Sequence, residues 1–514
     1  MAWVGRISAA MLAVGVAAAP ALAADLTSEQ AQALDGQLRG WMGNLVGPGF
    51  DAGKLNLHIT AEGDHYRVEL PLPGDIGATG ASVSGAAITA QAKPLDGGVW
   101  SIDDIQMPSP IDVSAPQLTV AGDKTVPHAM HITFGEQKNH ASFDPSLASP
   151  STFDGQISSF SETGTSALGE TKSSIAHIYW HNVWQPGGGG LVNMQGTGEL
   201  DGYDSTQPLP GGTVLDLAID KIAVTSQMTG TDFASFGNLI HEAVALASEH
   251  AAAKADPAPA PATAPATTGA PAPAAAGPTP EQRAILHKLV DTLGALFTSA
   301  DTDYKMTGLR FTSGPQKGSI AALEFASGYG APGGRADMHM KLVVDGFDST
   351  AVPPGVWRDY LPKHVELAPR ISGIPQADLV AALQRMIDQP NDAKPGMAMM
   401  TAMGEGQMLL AKGPLVVGLD SLALDLGPAT LTGKGALTVA SMADIHGGAT
   451  ILATGLDALI QKASQTPEMK QALPMLIMLK GIGKPSGASM EWDVLYANNK
   501  VTVNGTDLAG MTPH

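Results

Sequence analysis

The chain has 514 residues, Lys+Arg 29 against Asp+Glu 49 for a formal charge of −20, and no cysteine. Its length allows more than one sizeable core, and its charge repels phosphate backbones, which excludes nucleic acid as a partner. The missing thiol excludes disulfides, thiolate metal sites, cysteine nucleophiles and an N-terminal lipid-bearing cysteine.

Aromatics are only 5% and charged residues 15%, while Gly (60) and Pro (37) are abundant. This mixture favours short strands joined by turns over a helical bundle. Arg6, the apolar run at 7–16 and Ala21-Leu22-Ala23 read in order as a secretory signal over 1–23, cut after Ala23. The periplasm is the expected location. An uncleaved anchor fits less well, because the apolar run is Ala-rich and short. No later segment has enough unbroken apolar residues to cross a bilayer, so no integral membrane protein is expected once the signal is removed.

A first body, 24–250, opens at Thr27-Ser28-Glu29-Gln30, a capping pattern ahead of Leu34, Leu38, Trp41, Met42 and Leu45 at helical spacing. Strands follow. Leu55, Leu57 and Ile59 alternate up to a turn at Glu62-Gly63-Asp64, and Tyr66, Val68, Leu70 and Leu72 alternate back. Residues 88–92 and 99–105 read as a hairpin around Asp96-Gly97-Gly98, with further strands at 114–120 and 130–134. The segment 251–278 is almost pure Ala, Pro and Thr, which denies helix bonds and suits a semi-rigid, disordered spacer.

The second body, 279–514, repeats the opening: Thr279-Pro280-Glu281-Gln282, then Leu286, Val290, Leu293 and Phe297. Internal likeness also links 189–206 with 333–350, sharing Gly-Gly and then Asp-Gly-aromatic-Asp-Ser-Thr at a constant shift (345 − 201 = 144). Lys172-Ser-Ser-Ile-Ala upstream resembles Lys317-Gly-Ser-Ile-Ala, and Met228-Thr-Gly downstream resembles Ile371-Ser-Gly. Duplication is the simplest account. Near the end, Gly455-Leu456-Asp457 starts a helix, and 491–496, Asn498-Asn499 and 500–503 form a hairpin.

Chemistry is sparse. Ile178, Trp180, Asn182 and Trp184 share one face of a strand, and His177, Tyr179 and His181 the other. Sugar stacking or a His-bound metal weighs less there than a core strand. Met397, Met399, Met400 and Met403, with Met408 and Met338-His339-Met340, offer soft thioethers to copper(I), but Met beside Leu409 and Leu410 better suits a pliable apolar lid. Asp103-Asp104 and the paired carboxylates of the Asp-Gly-aromatic-Asp blocks read as turn caps rather than glycosidase acids. Gly481-Ile-Gly483 reads as a turn. None of the hydrolase, P-loop or zinc-protease motifs occurs.

The signal, the Asp345-Gly-Phe-Asp-Ser block, Ala453-Thr-Gly-Leu-Asp-Ala-Leu459 and the closing Trp492-Asp-Val-Leu-Tyr with Lys500-Val-Thr-Val-Asn-Gly505 together resemble a Gram-negative exported family defined as a domain of unknown function. A more distant likeness is to AsmA-type envelope proteins, whose curved β-sheets form apolar grooves. It implies an envelope role and carries over no catalytic residue.

The expected fold is α+β and β-rich: antiparallel twisted sheets covered by amphipathic helices, in two related bodies. The expected function is non-catalytic and needs no cofactor. An apolar ligand, lipid above all, is held in a sheet groove near Met397, Met400, Met403, Leu409 and Leu410. The alternatives are a periplasmic copper protein and an envelope protein that binds a protein partner; an enzyme on envelope glycans fits least.

Overall fold

Each of the two caps closes by a reciprocal exchange. Gln30 N donates to Thr27 Oγ1 and Thr27 N to Gln30 Oε1, both at 3.2 Å, at the start of α1 (Ser28–Val46). Gln282 N and Thr279 N do the same at 3.2 and 3.0 Å for α2 (Pro280–Ala295). Helix N–H groups that lack intrahelical partners are thereby satisfied.

The computed structural model describes residues 26–46, 56–72, 74–76, 81–120, 124–147, 149–166, 168–233, 235, 237–239, 241–243, 246, 278–296, 298–352, 356–388, 395–441 and 443–507. The signal at 1–23, the spacer at 251–277, Leu55 and Phe297 lie outside these residues.

Beyond their caps the two helices part ways. Leu34, Leu38 and Trp41 of α1 enter a buried cluster with Tyr66, Trp100 and Phe143. Leu293, the counterpart of Trp41, is 55% exposed. α2 packs instead on α3 (Gln376–Ile387), where Gln376 Nε2 donates to Gly294 O at 2.7 Å. The apolar period is shared, but a helix takes it up in the second case and strands in the first.

The chain is β-rich, and its strands form one large antiparallel sheet. One arm runs His58–Glu62, His65–Leu70, Ile88–Pro94, Trp100–Gln106, Gln137–Phe143 and Pro150–Ile157, each strand pairing with the next. A second arm runs Asp75–Ile76, Ala81–Gly85, Ile111–Val120, Lys124–Phe134 and Phe160–Ser166. Both arms end on one long strand, β1 (Gly169–Gly188).

From β1 the sheet continues as a ribbon: β2 (Leu191–Pro208), β3 (Val214–Thr231), β4 (Ser299–Ser313), β5 (Gln316–Gly330) and β6 (Arg335–Asp345). It goes on through β7 (His364–Pro375), β8 (Leu415–Asp425), β9 (Thr430–Val439), β10 (Ile445–Thr454), β11 (Ser489–Ala497) and β12 (Lys500–Val503). The pairing of β3 with β4 carries the sheet from the strand before the spacer to the strand after it. The sheet is open: among the described residues His58–Glu62 and Thr506–Asp507 each have one neighbour.

The similar segments at 189–206 and 333–350 share several local features, although the first is one strand and the second breaks at Gly346-Phe347. Gly189 and Gly190 turn with φ of 63° and 84°, Gly333 and Gly334 with 68° and 79°. Just beyond, the register shifts between Val192 and Met194 and between Ala336 and Met338. Asn193 Oδ1 accepts from Gly230 N at 2.9 Å, and Asp337 Oδ1 from Gly373 N at 3.0 Å. Gly202 and Gly346 both sit at φ 64°, and a Cβ there would come within 3.0 Å of Ala176 Cβ and 2.7 Å of Ala321 Cβ respectively.

Gly202→Ala and Gly346→Ala therefore meet the same obstacle, a left-handed backbone and a neighbouring methyl. Each is expected to cost about 1–2 kcal/mol in urea unfolding. A cost at one position alone would show that the two glycine positions are not equivalent.

Candidate functional site

In an antiparallel sheet, residues directly opposite one another share a face, so register can be followed from strand to strand. Trp184 lies opposite Met194, then Met228 and Ala300. The row continues through Tyr329, Met338, Ile371, Val417 and Leu437. A second row on this face passes through Trp180, Val224, Tyr304 and Phe325 to Leu342, Leu367 and Leu422. A third holds Ile222, Met306, Leu323, Val344, Val365 and Leu424. At about 4.8 Å per strand, the apolar stripe from β1 to β11 is about 50 Å long.

The other face is charged. Lys221 reaches Glu199 at 2.6 Å, Arg370 reaches Asp420 at 2.9 Å, and Lys305 lies 3.6 Å from Glu324. The Glu199 hydrogen bond holds the Lys221 ammonium above its usual range. A hollow of about 560 Å³ opens among Lys138, Asp154, Tyr179, His181 and Glu199. Its ionic groups already have partners: His181 bonds Asp154, Lys138 bonds Glu136, and Glu199 holds Lys221. Among the described residues no group of three or more His, Asp or Glu is placed to hold a metal ion.

Between its margins the apolar face stays open. Ile371 is 40% and Val417 45% exposed, and Met338, Met340, Leu367 and Leu437 are exposed beside them. Burial pushes the Tyr329 phenol up, as an apolar setting should. At one margin Trp180, Trp184 and Met194 join the cluster that contains Leu34 and Trp41 of α1. At the other, Ile451, Trp492 and Met490 pack with α5 (Leu456–Gln465) and α6 (Leu473–Ile482). Among the described residues the buried indole N–H groups of Trp41, Trp180 and Trp184 have no acceptor.

The residues picked from sequence sit elsewhere. The Met-rich stretch is a helix, α4 (Pro395–Ala411), with Met400 and Met403 exposed, Leu409 half-buried and Leu410 buried. Met397 lies on its first turn, its side chain outside the described set. What holds α4 is α3: Arg385 Nε and Nη2 donate to Glu405 Oε1 and Oε2 at 2.8 and 2.6 Å. That fork keeps the Glu405 carboxyl below its ordinary 4.5. Met338 and Met340 share the apolar face, while His339 between them points away, 3.8 Å from Asp301, so this trio does not converge on one ion.

The aromatic segment is a strand, as its alternation requires. Trp184 is buried, and the Trp180 ring lies against Phe153 with centroids 5.3 Å apart. Two of the three carboxylate pairs, Asp103-Asp104 and Asp201 with Asp204, lie within strands and not in turns, while Asp345 and Asp348 flank the link Gly346-Phe347. Asp104 (φ 50°) lies inside strand Trp100–Gln106, and Asp201 sits in β2 opposite His177 and Lys221. Gly481 lies in the last turn of α6 and Gly483 caps it, so that segment is a helix terminus.

No family model, curated protein or solved structure matches this chain. Among the described residues no helix is long and apolar enough to cross a membrane.

The Arg385–Glu405 fork yields a pH prediction. Because the folded carboxyl is depressed, its contribution is present above the ordinary value of 4.5 and lost as pH falls below it. Arg385→Met should lower the protection of α4 amides against exchange at pH 7, and wild-type protection, corrected for the slower intrinsic exchange in acid, should fall toward the variant's on acidification. Equal exchange in both proteins at pH 7 would show that the fork does not dock the helix.

Proposed function

We propose that this protein is an exported, non-catalytic envelope protein that binds lipid acyl chains along the apolar face of its sheet. The observation that carries this is the open apolar row Met338–Ile371–Val417–Leu437, continuous with half-buried rows on the same side. Contiguous exposed apolar surface on this scale marks an interaction site. Each methylene withdrawn from water there contributes roughly 0.8 kcal/mol without any precise polar constellation. A long chain laid across many strands matches a stripe far longer than it is wide.

The two halves are, in this reading, duplicated units joined by the Ala/Pro spacer. Equivalent left-handed glycines at Gly202 and Gly346, and equivalent register shifts and side-chain-to-glycine bonds at Asn193 and Asp337, support the duplication. α1, α5 and α6 cover the ends of the stripe. The signal read at 1–23 and the AsmA-type resemblance point to the periplasm.

Protein purified from the envelope is expected to carry lipid detectable by mass spectrometry and to bind a fluorescent fatty acid. Ile371→Glu combined with Val417→Glu should lower probe affinity at least about ten-fold with thermal unfolding unchanged, since both side chains already meet solvent. His177→Ala with His181→Ala, on the charged face, should leave it unchanged. A folded wild type that binds neither lipid nor probe would remove this reading.

A further inference from the structure

One row on the apolar face is not apolar. Asn182 stands opposite Gly196, and the row continues through Ser226, Thr302 and Ser327 to Met340. It runs between the row of Met194, Met228 and Tyr329 and the row of Val224, Tyr304 and Phe325. The four polar side chains are half-buried, and among the described residues none of them has a hydrogen-bond partner. Two of them converge. A Cβ on Gly196 would come within 2.4 Å of Asn182 Oδ1 and 3.0 Å of Ser226 Oγ, so both side chains lean over the glycine from opposite sides. Hydroxyls and an amide left unpaired between apolar rows gain by bonding a guest. From β6 onward the same face is aliphatic, with Met338, Ile371, Val417 and Leu437 beside Leu342, Leu367 and Leu422. The stripe therefore has a neutral polar end over β1–β5 and an aliphatic end over β6–β9.

We infer that the lipid held by the stripe is an uncharged acylglycerol, with its ester and glycerol hydroxyls on the Asn182–Ser226–Thr302–Ser327 row and its chain over β6–β9. Charge selects this class. This row and the three apolar rows beside it contain no Lys, Arg, His, Asp or Glu from β1 to β9. The first ionic groups met further along β3 and β4 on this face, Asp220 and Arg310, are bonded to each other at 2.7 Å. A carboxylate or phosphate seated on the stripe would lose hydration with no free cation to receive it, and a chain of net charge −20 repels it besides. Lengths agree as well. Ser226, Thr302 and Ser327 stand on adjacent strands and span about 10 Å, room for a glycerol unit. The strands β6 to β9 cover about 14 Å, close to the half-thickness of about 15 Å that one leaflet's chains fill in a bilayer. A fatty acid still binds by its chain, but more weakly than an uncharged ester.

This inference rests on the acyl-binding reading above and is tested apart from it. Displacement of the fluorescent fatty acid from the full chain is measured with laurate, methyl laurate and 1-monolauroylglycerol, which share one acyl chain. The glycerol ester should displace the probe at a concentration at least about ten-fold lower than methyl laurate, and methyl laurate at a lower one than laurate. Ser226→Ala with Thr302→Val and Ser327→Ala should bring the glycerol ester to within about two-fold of methyl laurate, with probe affinity and thermal unfolding unchanged. Thr302→Val alone, which keeps the shape of the side chain, should produce part of that loss. Equal displacement by the two esters in a wild type that binds the probe, or a preference that survives the triple substitution, overturns the inference and leaves acyl binding standing. Tighter binding of laurate than of either ester does the same. A folded wild type that binds no probe removes both readings.

Discussion

Antiparallel register, carried from strand to strand across a few bulges, is the constraint on which the structure depends. Side chains alternate with period 2, so one slipped residue in any ribbon strand would swap its apolar set for its charged set. Ile371 and Arg370 illustrate the cost. With Ile371 opposite Met338 and Val417, Arg370 meets His339 and Gly418 across the charged face. A shift by one would place the guanidinium among methionines and leave Asp420 without its partner at 2.9 Å. The charged face thus fixes the register that assembles the apolar one. Glycines serve the same end: Gly418 is buried beneath Arg370, and a Cβ there would come within 2.7 Å of Arg370 Nε.

The bulges place the interruptions. Opposite Met194 and Met338 the register shifts where Asn193 and Asp337 capture the N–H of Gly230 and Gly373, and a helical segment follows each glycine-bearing strand. α2 and α3 therefore gather at the strand ends and pack on each other, leaving Met338 and Ile371 open. A sheet whose apolar face is exposed at mid-length but packed against helix residues at both margins has the form of a binding surface more than of a core.

Local chemistry was legible in the sequence and long-range register was not. The reciprocal caps at Thr27 and Thr279 and the hairpin turn at Asn498-Asn499 (φ 53° and 58°) depend on neighbours within a few residues, and the pattern predicts them. The likeness of 189–206 to 333–350 was equally plain. The opposite burial of Trp41 and Leu293 was not, because each depends on partners far along the chain. The alternation of Met338, Met340, Leu342 and Val344 was a signal for the apolar stripe. The denser methionines of α4 drew attention from it, and they lie on a helix held by an ion pair. The Asp pairs misled in the same way, since a strand bulge and a turn draw on similar residues.

The most direct measurement is photo-crosslinking of the intact chain with a diazirine-bearing fatty acid, followed by mapping of the labelled residues. Labels should fall on alternate residues of the ribbon, at Met338, Leu342, Leu367, Ile371, Val417 and Leu437. The intervening His339, Arg370 and Lys434 should stay unlabelled. Labelling concentrated on the charged face, or spread over both faces without alternation, would contradict an acyl-binding stripe.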